Sequence, residues 1–210
     1  MQKTAKTIFL LFSFILVANL CIGQTHTIDS LKKKMWDETI ADKKLQLLID
    51  LCEHHQSINK NSLYRFALLA KELADKNGDQ VKKSLASLIL INAYLRLGKA
   101  DSATLLVDAE LLKNKLNNPA TRNIYFKLAA LKADCYGEAS NYKDALSELY
   151  TIINEAEIYK DSLVLSKNMS TIGVINYNLD HVPDAFNWYF KGISFTSDAP
   201  SFYSSKAVLY

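Results

Sequence analysis

The sequence predicts an all-α protein, a right-handed α-solenoid of antiparallel helix pairs. Three observations lead there. Glycine and proline are scarce, six and three in 210 residues, whereas the many turns of a β-sandwich or barrel draw on both. Apolar residues make up 49% and charged residues 22%, the balance of a folded chain rather than a disordered one. Ala103, Ala145 and Ala185 occupy similar sequence settings 42 and 40 residues apart, a period long enough for two helices and their links.

The first element is a targeting segment. Lys3 and Lys6 form a positive start, Ile8 to Ala18 is an apolar run, and Cys21-Ile22-Gly23 places small residues at the −3 and −1 positions before Gln24. That layout predicts a secretory signal peptide over 1–23, cleaved before Gln24. The apolar run is shorter than the ~20 residues of a membrane span. An uncleaved anchor is the alternative. A lipoprotein reading of Cys21 is disfavoured by Leu20, which stands where a small residue is expected. Export would permit a disulfide between Cys52 and Cys135. The repeat spacing puts them about four helix layers apart, at 8–10 Å per layer, beyond the ~7 Å Cα limit for a bridge. Both read as small buried apolar residues.

Residues 24–41 form an N-terminal helix and linker. Helices are predicted over roughly 28–38, 42–57, 61–76, 80–97, 100–116, 120–138, 142–158, 162–179 and 183–195. Gly78 follows a run ending in Lys76, as a glycine just past a helix does. Asn118-Pro119 predicts an N-cap followed by proline at the first helical position, and Asp161-Ser162 predicts another cap before Leu163.

The helices fall into repeats. Ile172-Gly173 is followed by Asn176, then Ala185, Tyr189 and Gly192. Forty residues earlier stand Ala133, Tyr136, Ala145 and Leu149. Before those come Tyr94, Leu97-Gly98, Ala103 and Val107, and a degenerate copy holds His54, Leu63, Ala67 and Ala70. Two antiparallel helices approach closely only where small residues lie at their crossing. Ala103, Ala145 and Ala185 supply these on second helices, and Ala133 and Gly173 on first helices, while Tyr94 and Tyr136 fill the space between repeats. No helix pair buries its apolar face alone, so neighbours must stack.

This pattern resembles the tetratricopeptide repeat: a Leu-Gly pair, an aromatic three residues on, then an alanine and a second aromatic four later. Asn176 and Leu149 depart from it, and the period of 40 to 42 exceeds the usual 34. Armadillo or HEAT repeats are the structural alternative. About four repeats are expected within 42–198, over 44–83, 84–125, 126–165 and 166–198. Residues 199–210, from Ala199-Pro200 to Val208-Leu209-Tyr210, look like the start of a fifth, truncated repeat.

Several chemistries lack their residues. There is no glycine-rich phosphate loop and no serine in a nucleophile elbow. His54 and His55 are adjacent, so on a helix their rings diverge by about 100°, whereas metal pairs want i, i+3 or i, i+4. Asp50 and His54 have that spacing but form at most a surface contact. Net charge is +3, close to +1 once Lys3 and Lys6 are removed, and Lys32-Lys33-Lys34 is the one remaining basic run, so nothing carries the footprint of a nucleic-acid binder. The expectation is a protein that is not an enzyme, with no catalytic residues, no cofactor and no metal.

The tetratricopeptide resemblance implies a function instead. In that architecture the first helix of each repeat lines a concave groove. The matching solvent-facing positions here are His55 and Gln56; Asn92 and Arg96; Lys127, Asp134 and Glu138; and Lys167, Tyr177 and Asn178. Such a wall suits an extended peptide or a partner helix. The order of signal peptide, Gln24-Thr25 to Lys34 and long-period repeats also resembles the exported front end of Bacteroidetes tetratricopeptide sensor histidine kinases and helix-turn-helix regulators. The expected function is a non-catalytic protein- or peptide-binding scaffold, periplasmic or attached to the cell envelope. The alternative is the extracytoplasmic sensor segment of a larger regulator.

Overall fold

A computed structural model describes residues 28–54, 58–77 and 80–195, and among them every regular element is a helix. In chain order these are α1 (28–37), α2 (Ala41–Glu53), α3 (Lys60–Asn77), α4 (Gln80–Arg96), α5 (Ala100–Lys113), α6 (Arg122–Glu138), α7 (Tyr142–Tyr159), α8 (Ser162–Asn178) and α9 (Val182–Ser194). The export segment 1–23, the junction before Gln24, Gly78, the candidate residues His55 and Gln56, and the expected fifth repeat over 199–210 lie outside the described residues.

The links between helices repeat one backbone device. Gly98, Ser140 and Asp180 all take left-handed backbone conformations, with φ of 71°, 57° and 60°. Each sits five residues before one of the recurring alanines. In each, the next residue's N–H donates back to the first helix: Lys99 to Tyr94 O, Asn141 to Tyr136 O and His181 to Asn176 O, at 2.9, 2.8 and 2.9 Å. Carbonyls left open at the helix end are thereby satisfied. Only Gly98 adopts this conformation without steric penalty, since a Cβ crowds the backbone there. The α7–α8 link uses Lys160 in the same way, at φ 54°. Asn141 and Asp161 then cap the following helices, accepting from Asp144 N–H and Val164 N–H.

Three expected helix ends move. α2 ends at Glu53, with His54 as its C-cap, short of 57. α6 starts at Arg122, not at 120, and Asn118 is not its N-cap. Asn118 instead builds a turn: its side chain accepts from Ala120 N–H at 3.0 Å and its carbonyl from Arg122 N–H at 2.9 Å. An asparagine before proline serves such a side-chain turn as readily as a helix cap, and the sequence alone does not separate the two. α5 ends at Lys113, short of 116, because Asn114 turns extended. The Asn114 side chain then donates to Glu110 O at 2.9 Å.

The chain divides into two units, 1–89 and 90–210, with the division inside α4. In the first, Met35 of α1 and Leu45, Leu48 and Ile49 of α2 form a core with Ala70 and Ala74 of α3 and Ala86 of α4. Leu63 and Ala67 of α3 are also buried. In the second, helices pack in chain order, α5 on α6, α6 on α7, α7 on α8 and α8 on α9, and α6 also meets α8. That is the succession of an α-solenoid. Ala103, Ala145 and Ala185 are fully buried, and Ala133 nearly so. At Gly173 the fit is tighter still: a Cβ there would lie 2.5 Å from Tyr189 Cδ1 and closer to Cε1. Cys52 and Cys135 are buried free thiols. Burial pushes the Cys52 thiol up to about 12.

Candidate binding groove

α6 and α8 each leave one stripe uncovered. Ile124, Phe126, Leu128, Ala129, Leu131, Ala133 and Cys135 of α6 are buried, while Asn123, Lys127, Asp134 and Glu138 are exposed. α8 buries more of its surface, because α6, α7 and α9 all pack on it, and leaves Ser162, Lys167, Val174, Tyr177 and Asn178 exposed. Between the two stripes lies an open recess of about 320 Å³. Phe126, Ala130, Leu149 and Val164 give it apolar lining. Asn123, Lys127, Asp134, Asp161, Lys167, Asn168 and Thr171 give it polar lining.

Its polar groups differ in how they are held. Lys127 and Lys167 occupy the same register 40 residues apart, and among the described residues neither ammonium has an ion-pair partner. Asn168 is nearly buried. Its Nδ2 donates to Val164 O at 2.8 Å, a bond within its own helix. Asp161 is engaged in capping α8. Asp134 keeps a solvent-open edge on a concave surface crowded by protein. Desolvation first, and the Glu138 charge second, push its carboxyl up to about 6.

A second charged group ties α5, α6 and α7 together. Lys132 Nζ sits 3.1 Å from Asp108 Oδ1. Burial alone would lower the lysine, but the Asp108 hydrogen bond and the Glu148 and Asp108 charges outweigh it and hold it protonated. Tyr125 OH donates to Glu155 Oε1 at 3.1 Å. Desolvation and the Glu155 charge push this phenol up to about 12. These groups answer one another across packed helices and are structural.

Of the residues expected in a groove, Lys127, Asp134 and Lys167 line one recess. Glu138 lies one turn beyond Asp134 on α6 and bears on its charge. Tyr177 and Asn178 are exposed at the end of α8, with Tyr177 close enough to Tyr189 to raise its phenol pKa after desolvation. Asn92 and Arg96 of α4 are half-buried, engage partners, and are not among the residues lining the recess. Asn123 and Asn168 were not expected. Helical spacing, four residues before Lys127, would have reached Asn123. Asn168 is a buried position, and only the packing brings it to the recess. Among the described residues no group of three or more His, Cys, Asp or Glu stands where it could hold a metal, and no helix is long and apolar enough to cross a membrane. The chain matches no protein-family model and no curated protein.

Proposed function

We propose that this chain is a non-catalytic tetratricopeptide-type scaffold, working outside the cytoplasm, that binds a peptide or protein segment along α6 and α8. One observation carries the reading: the recess is open, apolar at its base and edged by polar side chains, of which Lys127 and Lys167 have no ion-pair partner among the described residues. That combination suits an extended chain, whose backbone needs hydrogen bonds and whose side chains need pockets. The left-handed turns at Gly98, Ser140 and Asp180 recur with the alanines and support a repeat array. The extracytoplasmic placement rests on Lys3, Lys6 and the apolar run from Ile8 to Ala18, and sequencing the mature N-terminus tests it. A start at Gln24 is the expected result.

The binding reading is tested by panning a phage-displayed random dodecapeptide library on the purified chain, with Thr171→Trp as the counter-selection, since the indole would fill the recess. Peptides retained by the parent protein and lost on the variant are expected. Failure to enrich any peptide overturns the reading.

The second reading, a sensor segment of a larger regulator, draws on the resemblance in layout and on α9, whose Phe186 and Phe190 are 54% and 67% exposed. An in-frame continuation into a membrane span and an output module in the downstream DNA would establish it. A stop codon with no such module nearby would defeat it.

A further inference from the structure

The recess has two ends of opposite sign. Lys127 and Asp134 are seven residues apart on α6, two helical turns, so they share one face about 10 Å apart along the axis. Lys167 joins Lys127 from the facing helix, and Glu138 extends the acidic end by one more turn. The ends do not neutralise each other. Among the described residues neither lysine is ion-paired. Beside Asp134, the Glu138 charge adds to desolvation in raising its carboxyl. Asp161, which caps the Val164 N–H, also lies among the lining residues, and the two lysines outnumber it. Ala130, midway between Lys127 and Asp134, and the buried Phe126 and Leu149 make the middle apolar.

Resting on the peptide-binding reading, we infer that the groove takes an extended peptide segment of ordered charge: an acidic residue between Lys127 and Lys167, an apolar residue over Ala130, and a basic residue at Asp134 and Glu138. A chain at about 3.3 Å per residue covers 10 Å in about three residues. The motif is therefore acidic and basic about three positions apart, with an apolar residue between. Charge order also fixes direction. The acidic residue lies at the lysine end of the recess, towards the N-terminal ends of α6 and α8.

The library selection used for the binding reading tests this independently, because the two ideas fail differently. Peptides enriched on the parent chain and lost on Thr171→Trp should carry Asp or Glu about three positions from Lys or Arg, with an apolar residue between. A synthetic peptide of that pattern should bind about tenfold more weakly to the double variant Lys127→Glu, Lys167→Glu, a change of about 1.4 kcal/mol. Replacing its acidic residue by Lys should restore binding to that variant. Both lysines are exposed, and an unchanged circular dichroism spectrum checks that the variant folds. Enriched peptides that compete for the recess but show no charge order would overturn this inference and leave the binding reading intact. Charge-ordered peptides that bind the double variant as well as the parent would also overturn it.

Discussion

α8 and α9 are neighbours in one stack and are built on opposite plans. α8 is covered by α6, α7 and α9 and buries nine of its 17 residues. α9 packs chiefly on α8 and is strongly one-sided, with Ala185 and Gly192 inward and Phe186 and Phe190 largely exposed. The polar content follows the opposite rule from the usual one. The buried helix carries Ser166, Asn168, Ser170 and Asn176 among its buried residues, while the open one shows phenylalanines. The buried polar side chains are tolerated because most bond their own helix: Asn168, Ser170 and Asn176 donate to carbonyls four residues earlier, at 2.8, 2.8 and 2.9 Å. Burial here is set by how many helices pack on an element, and hydropathy alone does not report it.

The largest break should come at Gly173, where the two helices touch. Gly173→Val puts carbon atoms into the Tyr189 ring, and overpacking of this kind costs about 1–3 kcal/mol. Urea denaturation should show that loss. Adding Tyr189→Ala should recover part of it, and strictly additive losses would mean the contact is not the cause.

Ser166 gives the next effect, with opposite sign. Its hydroxyl is buried and, among the described residues, finds no hydrogen-bond partner. Leaving such a group dry costs about 1–3 kcal/mol, so Ser166→Ala should stabilise the protein by about 1 kcal/mol in thermal or urea unfolding. An equal loss of stability would show that the hydroxyl is satisfied after all.

Across the recess from α8, Asp134 makes a smaller and pH-dependent contribution. Its carboxyl is raised in the folded protein from 3.8 to about 6, so the folded state holds a proton that the unfolded state has released. The associated stability is present below about pH 4 and is lost as pH rises through 6. Asp134→Asn should therefore stabilise the protein at pH 7 by a few tenths of a kcal/mol, water at the exposed edge weakening the effect, and should flatten the profile between pH 4 and 6. A variant profile parallel to the parent's would remove Asp134 from the explanation.

The smallest effect belongs to α9. Phe190→Ser removes an exposed ring and should change stability by no more than about 0.5 kcal/mol. A loss of several kcal/mol would mean that the face is covered in solution, and a concentration-dependent midpoint would trace the cover to a second copy.

Much of this architecture is legible in particular residues. Ala103, Ala145 and Ala185 mark helix crossings because only small side chains let backbones approach, and their spacing reveals the period. Asp161 is readable as a cap, since a carboxylate before an apolar helical run has one good use. Asn118 misleads, because the same local bond serves a turn or a helix start. The groove is half legible: register pairs Lys127 with Lys167, but Asn92 and Arg96 satisfy the same pattern and are held by other partners.

The sequence by itself determined the helical class, the long period and the small residues at the crossings, because these follow from local propensity and from steric limits that each helix carries with it. Tertiary structure alone decided which polar residues share a recess, which carboxylate is desolvated beside another, and which hydroxyl is buried unpaired. Those properties depend on distances between helices 40 residues apart in sequence, and electrostatics and desolvation are set by such distances.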